Sequence, residues 1–128
     1  MPELAFRDGV MDRIRLREQR YDEQAYLFVL SALEYSQSKL DARRHINAAE
    51  LAGSCRELAL ERFGLMSRVV LEKWGVCSTA DFGEIVFTLV ELGFLVKQPN
   101  DTREEFIGLF DFASAFERDY PWNAAHYA

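Results

Sequence analysis

The chain is poor in the residues that most small active sites are built from. It has two cysteines, Cys55 and Cys77, and two histidines, His45 and His126. Two isolated cysteines can form neither a disulfide framework nor a zinc knuckle. With so few imidazoles, a nucleophile–base pair is hard to assemble. No apolar stretch approaches the ~18 uncharged residues of a membrane span. The first residues, MPELAFRDGVMDR, carry acids and no continuous apolar region, so a secretory signal is not expected. Three prolines, seven glycines and no repeat leave nothing that reads as a linker or a low-complexity segment. The last scarcity is the most informative: no Arg or Lys lies between Lys73 and Lys97.

What is present is globular. Of the 128 residues 49% are apolar and 28% charged, with 10 Phe, enough to bury a core in a single domain without staples. The charge is unevenly placed. Residues 1–77 hold 12 acidic and 12 basic side chains, whereas residues 78–128 hold 9 acidic and 3 basic, so the net charge of −6 resides in the C-terminal two-fifths. A soluble cytoplasmic protein with reduced thiols is expected.

Residues 3–17 have a loose apolar stripe and a run of arginines, Arg13, Arg15, Arg17 and Arg20, that reads as a solvated face. Asp22 is placed to cap a helix, EQAYLFVLSALEYSQSKL, with Ala25, Val29, Ala32, Leu33, Ser36 and Leu40 on one side and Phe28 and Tyr35 on the other. A short extended piece, Arg44 to Ile46, precedes Asn47, which pairs with Glu50 in capping-box spacing. The helix that follows carries Cys55 in the middle of its apolar stripe, as a small core residue and not a nucleophile. Gly64 ends it, and LMSRVVLEKW forms a shorter helix closed by Gly75.

Ser78 or Thr79 caps the next helix. At about 100° per residue, Phe82, Ile85, Val86, Leu89, Val90 and Leu92 fall on an apolar arc, and Asp81, Glu84, Thr88 and Glu91 on the opposite one. Phe87 lies at the edge of the polar arc. FLVKQ, the turn-forming PNDT and REEFIGLF predict a β-hairpin, and Asp111 a cap for a last helix before the aromatic tail YPWNAAHYA.

This order predicts an α+β, mostly helical fold. It is a winged-helix-like domain over 21–112, with a C-terminal β-hairpin as wing, an N-terminal helical extension over 1–20 and a C-terminal helix and tail over 113–128. The alternative is another small α+β domain whose hairpin packs differently. RYDEQAYLFVLSALEY, ELALERFGLMSRVVLEKWGV, TADFGEIVFTLVELGFLVK and DTREEFIGLFDFASAF resemble a small uncharacterised family of bacterial proteins best represented in the Planctomycetes–Verrucomicrobia group. The resemblance spans about Tyr21 to Phe116, and its most specific pieces are Trp74-Gly75, Asp81-Phe82-Gly83 and Asp101-x-Arg103-Glu104. It implies a bacterial cytoplasmic protein and supplies neither a catalytic residue nor a partner.

The residues disfavour several chemistries. Duplex binding needs Lys and Arg against phosphates, and the presumed recognition helix offers Asp81, Glu84, Thr88 and Glu91. Only the N-terminal basic segment, with Lys39, Arg43 and Arg44, leaves a nucleic-acid-binding regulator as the runner-up. The Asp81-Phe82-Gly83 triplet opens a helix and has no glycine-rich phosphate loop beside it. Asp101, Glu104 and Glu105 do not follow a calcium loop, and no pair of residues has metal-ligand spacing. No catalytic, cofactor-binding or metal-binding residue is therefore nominated, and no cofactor. The expectation is a non-enzymatic protein-interaction or adaptor module with an acidic face. Its candidate partner-binding residues are Asp81, Glu84, Phe87, Thr88, Glu91 and Trp122; its partner is basic, or a second copy of the chain.

Overall fold

The computed structural model describes residues 20–99 and 101–118, of which 67% are helical and none belongs to a strand. Four α-helices form the framework: α1 (Glu23–Ser38), α2 (Ala48–Phe63), α3 (Ser67–Lys73) and α4 (Thr79–Glu91). Short 3-10 turns at Gly64–Met66 and Arg103–Phe106 and a π-turn at Ser114–Arg118 complete it. Residues 1–19 and 119–128 are outside the described region, and with them the expected N-terminal helix and the aromatic tail with Trp122.

Local chemistry sets the helix ends. The Asp22 carboxylate accepts a 2.9 Å bond from the Gln24 amide at the start of α1. Asn47 and Glu50 form the reciprocal capping box of α2, at 2.8 and 3.1 Å. Gly64, at φ 54°, stops α2 and turns the chain into α3. Gly75 is required for a second reason. At φ 94°, a Cβ there would stand 2.9 Å from the Arg20 carbonyl, where the Asp22 amide bonds the Trp74 carbonyl at 3.0 Å. That contact ties the entry of α1 to the exit of α3.

α1 is the central helix and packs on both α2 and α4. Tyr26, Phe28, Val29 and Ala32 of α1 are buried, as are Leu51, Cys55, Leu58 and Ala59 of α2 and Phe82, Ile85 and Leu89 of α4. The C-terminal segment closes one end of this core with an aromatic cluster. The rings of Phe82, Phe112 and Phe116 meet at centroid distances of 5.1 and 5.9 Å, within the range for edge and tilted pairs.

The winged-helix expectation is overturned. Arg44–Ile46 is irregular chain with no strand partner, and the expected hairpin over 94–110 does not form. After Gly93 (φ 85°) the amides of Phe94 and Leu95 bond back to the Leu89 carbonyl, which turns the chain away from an extended course. The would-be second strand instead coils into the 3-10 turn Arg103–Phe106. Its reason is a notch: the missing side chain of Gly83 admits Phe106, whose Cβ and ring would lie 2.9 Å from any Cβ at position 83. The Thr79 hydroxyl donates to the Phe106 carbonyl at 2.5 Å, so the backbone group a ladder would use is already taken.

Candidate binding cleft

The expected acidic arc of α4 does not stand outward as a set. Asp81 and Thr88 are buried, at 6% and 9% exposure, which corrects their assignment to a solvent face. The Thr88 hydroxyl donates to the Glu84 carbonyl of its own helix at 2.9 Å and so can be buried without another partner. Asp81 is a structural hub. Its Oδ1 accepts from the Tyr21 hydroxyl at 2.6 Å and from Arg20 at 3.3 Å, and its Oδ2 from the Cys77 and Ser78 amides at 2.8 and 3.2 Å.

Glu84 and Glu91 do remain on the outer side of α4, but Arg103 sits between them, 3.9 Å from Glu84 and 2.9 Å from Glu91. The same guanidinium lies 5.6 Å from the centre of the Phe87 ring, which is half-buried. One arginine thereby covers three of the nominated residues. Its part in this face follows from the turn that brings 103 back over α4, and no spacing in the sequence signals it. Trp122 is outside the described residues. The winged-helix DNA reader loses both its wing and its open recognition face, and the N-terminal arginines on which that alternative rested, Arg20 excepted, are also outside the described region.

Another surface comes forward. A cleft of about 250 Å³ lies between α1, the segment before α2, α4 and the loop 95–106. Its wall is apolar: Val29 and Leu33 from α1, Ile46 and Leu51, and Val86 and Val90 from α4. The residues of this wall were legible as apolar, but the space between them depends on how far the 95–106 loop stands from α1.

The rim is polar. His45 Nε2 meets Asp101 across the mouth at 3.1 Å, and Asp101 also accepts from the Gln98 amide at 2.7 Å, which shapes the loop. Arg44 also lines the cleft, with its guanidinium engaged by Glu50 in a two-pronged pair, 3.0 and 2.6 Å. That pair, with the Asn47 amide, holds the Glu50 carboxyl down at about 2. Lys97 and Glu105 also border the cleft, and neither has an oppositely charged side chain within ion-pair distance among the described residues. Val96, which also lines the cleft, is 91% exposed.

His45 and Asp101 have the form of a base with an orienting carboxylate, yet no hydroxyl or thiol among the described residues hydrogen-bonds the imidazole. Cys55 is fully buried in apolar surroundings, which push its thiol up and away from the reactive thiolate. Among the described residues no three His, Cys, Asp or Glu side chains stand close enough to hold a metal ion, and no helix is long and apolar enough to cross a membrane. Comparisons with family models, with curated proteins and with solved structures found no match.

Proposed function

We propose that this protein is a non-enzymatic interaction module, and that its recognition element is the cleft between α1 and α4. The observation that carries this reading is the pairing of an apolar-walled cleft of about 250 Å³ with a fully exposed apolar lip at Val96. The volume lies just below the ~300 Å³ at which pockets for whole small molecules begin, and suits one or two apolar side chains of a protein partner. Lys97 and Glu105 supply charges of both signs at the mouth, which fix orientation more than affinity. The net charge of −6 favours fast encounter with a basic partner. A cytoplasmic location and membership of the bacterial family it resembles belong to the same proposal.

The test is a photo-crosslinking side chain placed at Val96 in the native cell, with exposed Gln24 as the control position. A protein captured through Val96 and not through Gln24 is then purified and titrated against the wild type and Val90→Asp. Loss of at least about tenfold in affinity with unchanged helical circular dichroism supports the cleft. Capture of a second copy through Val96 makes the chain its own partner at the same site. If Val96 captures nothing beyond the control, or if the captured protein binds Val90→Asp undiminished, the cleft is not the recognition element.

A further inference from the structure

We propose that the cleft is proton-sensitive: a proton taken up by His45 tightens its pair with Asp101 and weakens binding in acid. This regulation presupposes that the cleft is the recognition element. His45 belongs to the irregular segment before α2 and Asp101 to the loop that follows α4, and both line the cleft. The imidazole Nε2 lies 3.1 Å from one carboxylate oxygen of Asp101 and 3.3 Å from the other, across 56 residues of sequence. Among the described residues this is the one hydrogen-bonded or ionic tie between segment 44–47 and loop 95–106. Asp101 is itself held in place. Its amide donates to the Gln98 carbonyl at 3.0 Å, and its carboxylate accepts from the Gln98 amide at 2.7 Å.

The geometry also says where the proton goes. A neutral imidazole that bonds a carboxylate through Nε2 carries its hydrogen on that nitrogen, which leaves the lone pair on Nδ1. No described residue hydrogen-bonds Nδ1, and the side chain is 31% exposed, so the ring is in contact with water. A second proton, taken up at Nδ1, turns a bond between a neutral ring and a carboxylate into one between two full opposite charges. Such charge-assisted bonds are the stronger kind. Imidazole is the side chain whose charge changes between about pH 5 and 8.

Few other charges surround the ring. The loop contributes Lys97 and Glu105 besides Asp101, and the segment of His45 contributes Arg44, whose guanidinium donates to the His45 carbonyl at 2.9 Å. Arg44 is matched by Glu50 of α2, which at about 2 keeps its charge across the whole range in which imidazoles titrate. α1 and α4 line the cleft with uncharged side chains: Val29, Leu33 and Gln37, and Val86, Phe87 and Val90. Asp101 is thus the one carboxylate within ion-pair distance of His45 among the described residues, and the proton acts chiefly on that bond. Because the bond joins two walls of the cleft, an occupant that spreads them stretches it. Spreading costs more when both partners are charged.

The probe is N-phenyl-1-naphthylamine, an uncharged dye that brightens in apolar surroundings, titrated into the full-length protein at about pH 5.5 and about pH 8. The wild type is expected to bind at least about threefold more weakly at the lower pH, the scale of a partly exposed ion pair. His45→Gln keeps a donor but takes up no proton, and Asp101→Asn keeps an oxygen for the Gln98 amide. Each should bind equally at both pH values, with far-UV circular dichroism checking that both remain folded. A wild type indifferent to pH, or a pH dependence retained in His45→Gln, overturns the proposal and leaves the cleft reading standing. No dye bound by the wild type, or binding undiminished by Val90→Asp, overturns both together. A double-mutant cycle in urea tests the bond with no ligand present. Coupling between His45→Gln and Asp101→Asn, read as a factor in the unfolding constant, should be at least about twofold larger at the lower pH. Coupling that is equal or smaller there overturns the proposal whatever the dye does.

Discussion

The Tyr21 hydroxyl donates a 2.6 Å hydrogen bond to Oδ1 of Asp81, across 60 residues of sequence. It fastens the start of α1 to the first turn of α4. The other carboxylate oxygen holds the Cys77 and Ser78 amides, so one side chain both caps α4 and sets where α4 docks. Asp81 is therefore a keystone of the fold and not part of a partner-facing surface.

Asp81→Ala should cost about 3 kcal/mol, because it strands a buried hydroxyl and two amides together. Tyr21→Phe, which removes only the hydroxyl, should cost about 1.5–2 kcal/mol. In urea denaturation the double variant should fall short of the sum of the two, since both delete the same bond. Additive losses would mean that the bond is not a coupled unit. Burial, and then the bond to Asp81, push the Tyr21 phenol well above its ordinary value. A raised value makes this contribution complete below about pH 10 and progressively lost as pH rises further, so the gap between wild type and Tyr21→Phe should narrow in alkali.

Gly83→Ala and Gly53→Ala should move stability in opposite directions. At Gly83 the added Cβ meets Phe106 Cβ and ring atoms at 2.9 Å, and Phe106 is 4% exposed. A loss of about 1–3 kcal/mol is expected, with loosening of the 103–106 turn. At Gly53, within α2, the added Cβ meets nothing within 4 Å, and a gain of about 0.5–1 kcal/mol is expected from helix propensity. Thermal melts of the two single variants check both signs.

The start of α2 should carry an acid-sensitive contribution. The Arg44 guanidinium, and then the Asn47 amide, hold Glu50 down at about 2. A lowered value gives stabilisation that is complete above the ordinary carboxylate value of about 4.3 and is lost as pH falls toward 2. Glu50→Gln should thus melt slightly below wild type near neutral pH, and the difference should close in acid. Exposure of the Arg44–Glu50 pair should make the effect small and reduced by salt. A difference that grows in acid would reverse this reading.

The two thiols should behave as different species. Cys77 is exposed and Cys55 completely buried, with burial pushing its thiol up. A thiol reagent should modify one equivalent rapidly in the native protein and the second only on unfolding, at a rate that reports opening of the α1–α2 core. Fast modification of both would show that α2 is not packed as described.

The sequence by itself determined the helices and their ends. Asp22, Asn47 with Glu50, Gly64 and Ser78 act where they were expected to act, because capping is chemistry among residues a few positions apart. The apolar faces of α1, α2 and α4 were legible for the same reason of short period, and Cys55 duly lies in the core. Tertiary structure alone decided the rest. Pro99 and Asp101 mark a reversal of the chain, but whether its arms pair or coil depended on a notch at Gly83, twenty-three residues from the Phe106 that fills it. Asp81 and Thr88 have the polarity of surface residues and are buried, because Tyr21, Arg20 and the Glu84 carbonyl meet them there. Polarity is written into a residue; whether it must face water is settled by the partners that the fold brings to it.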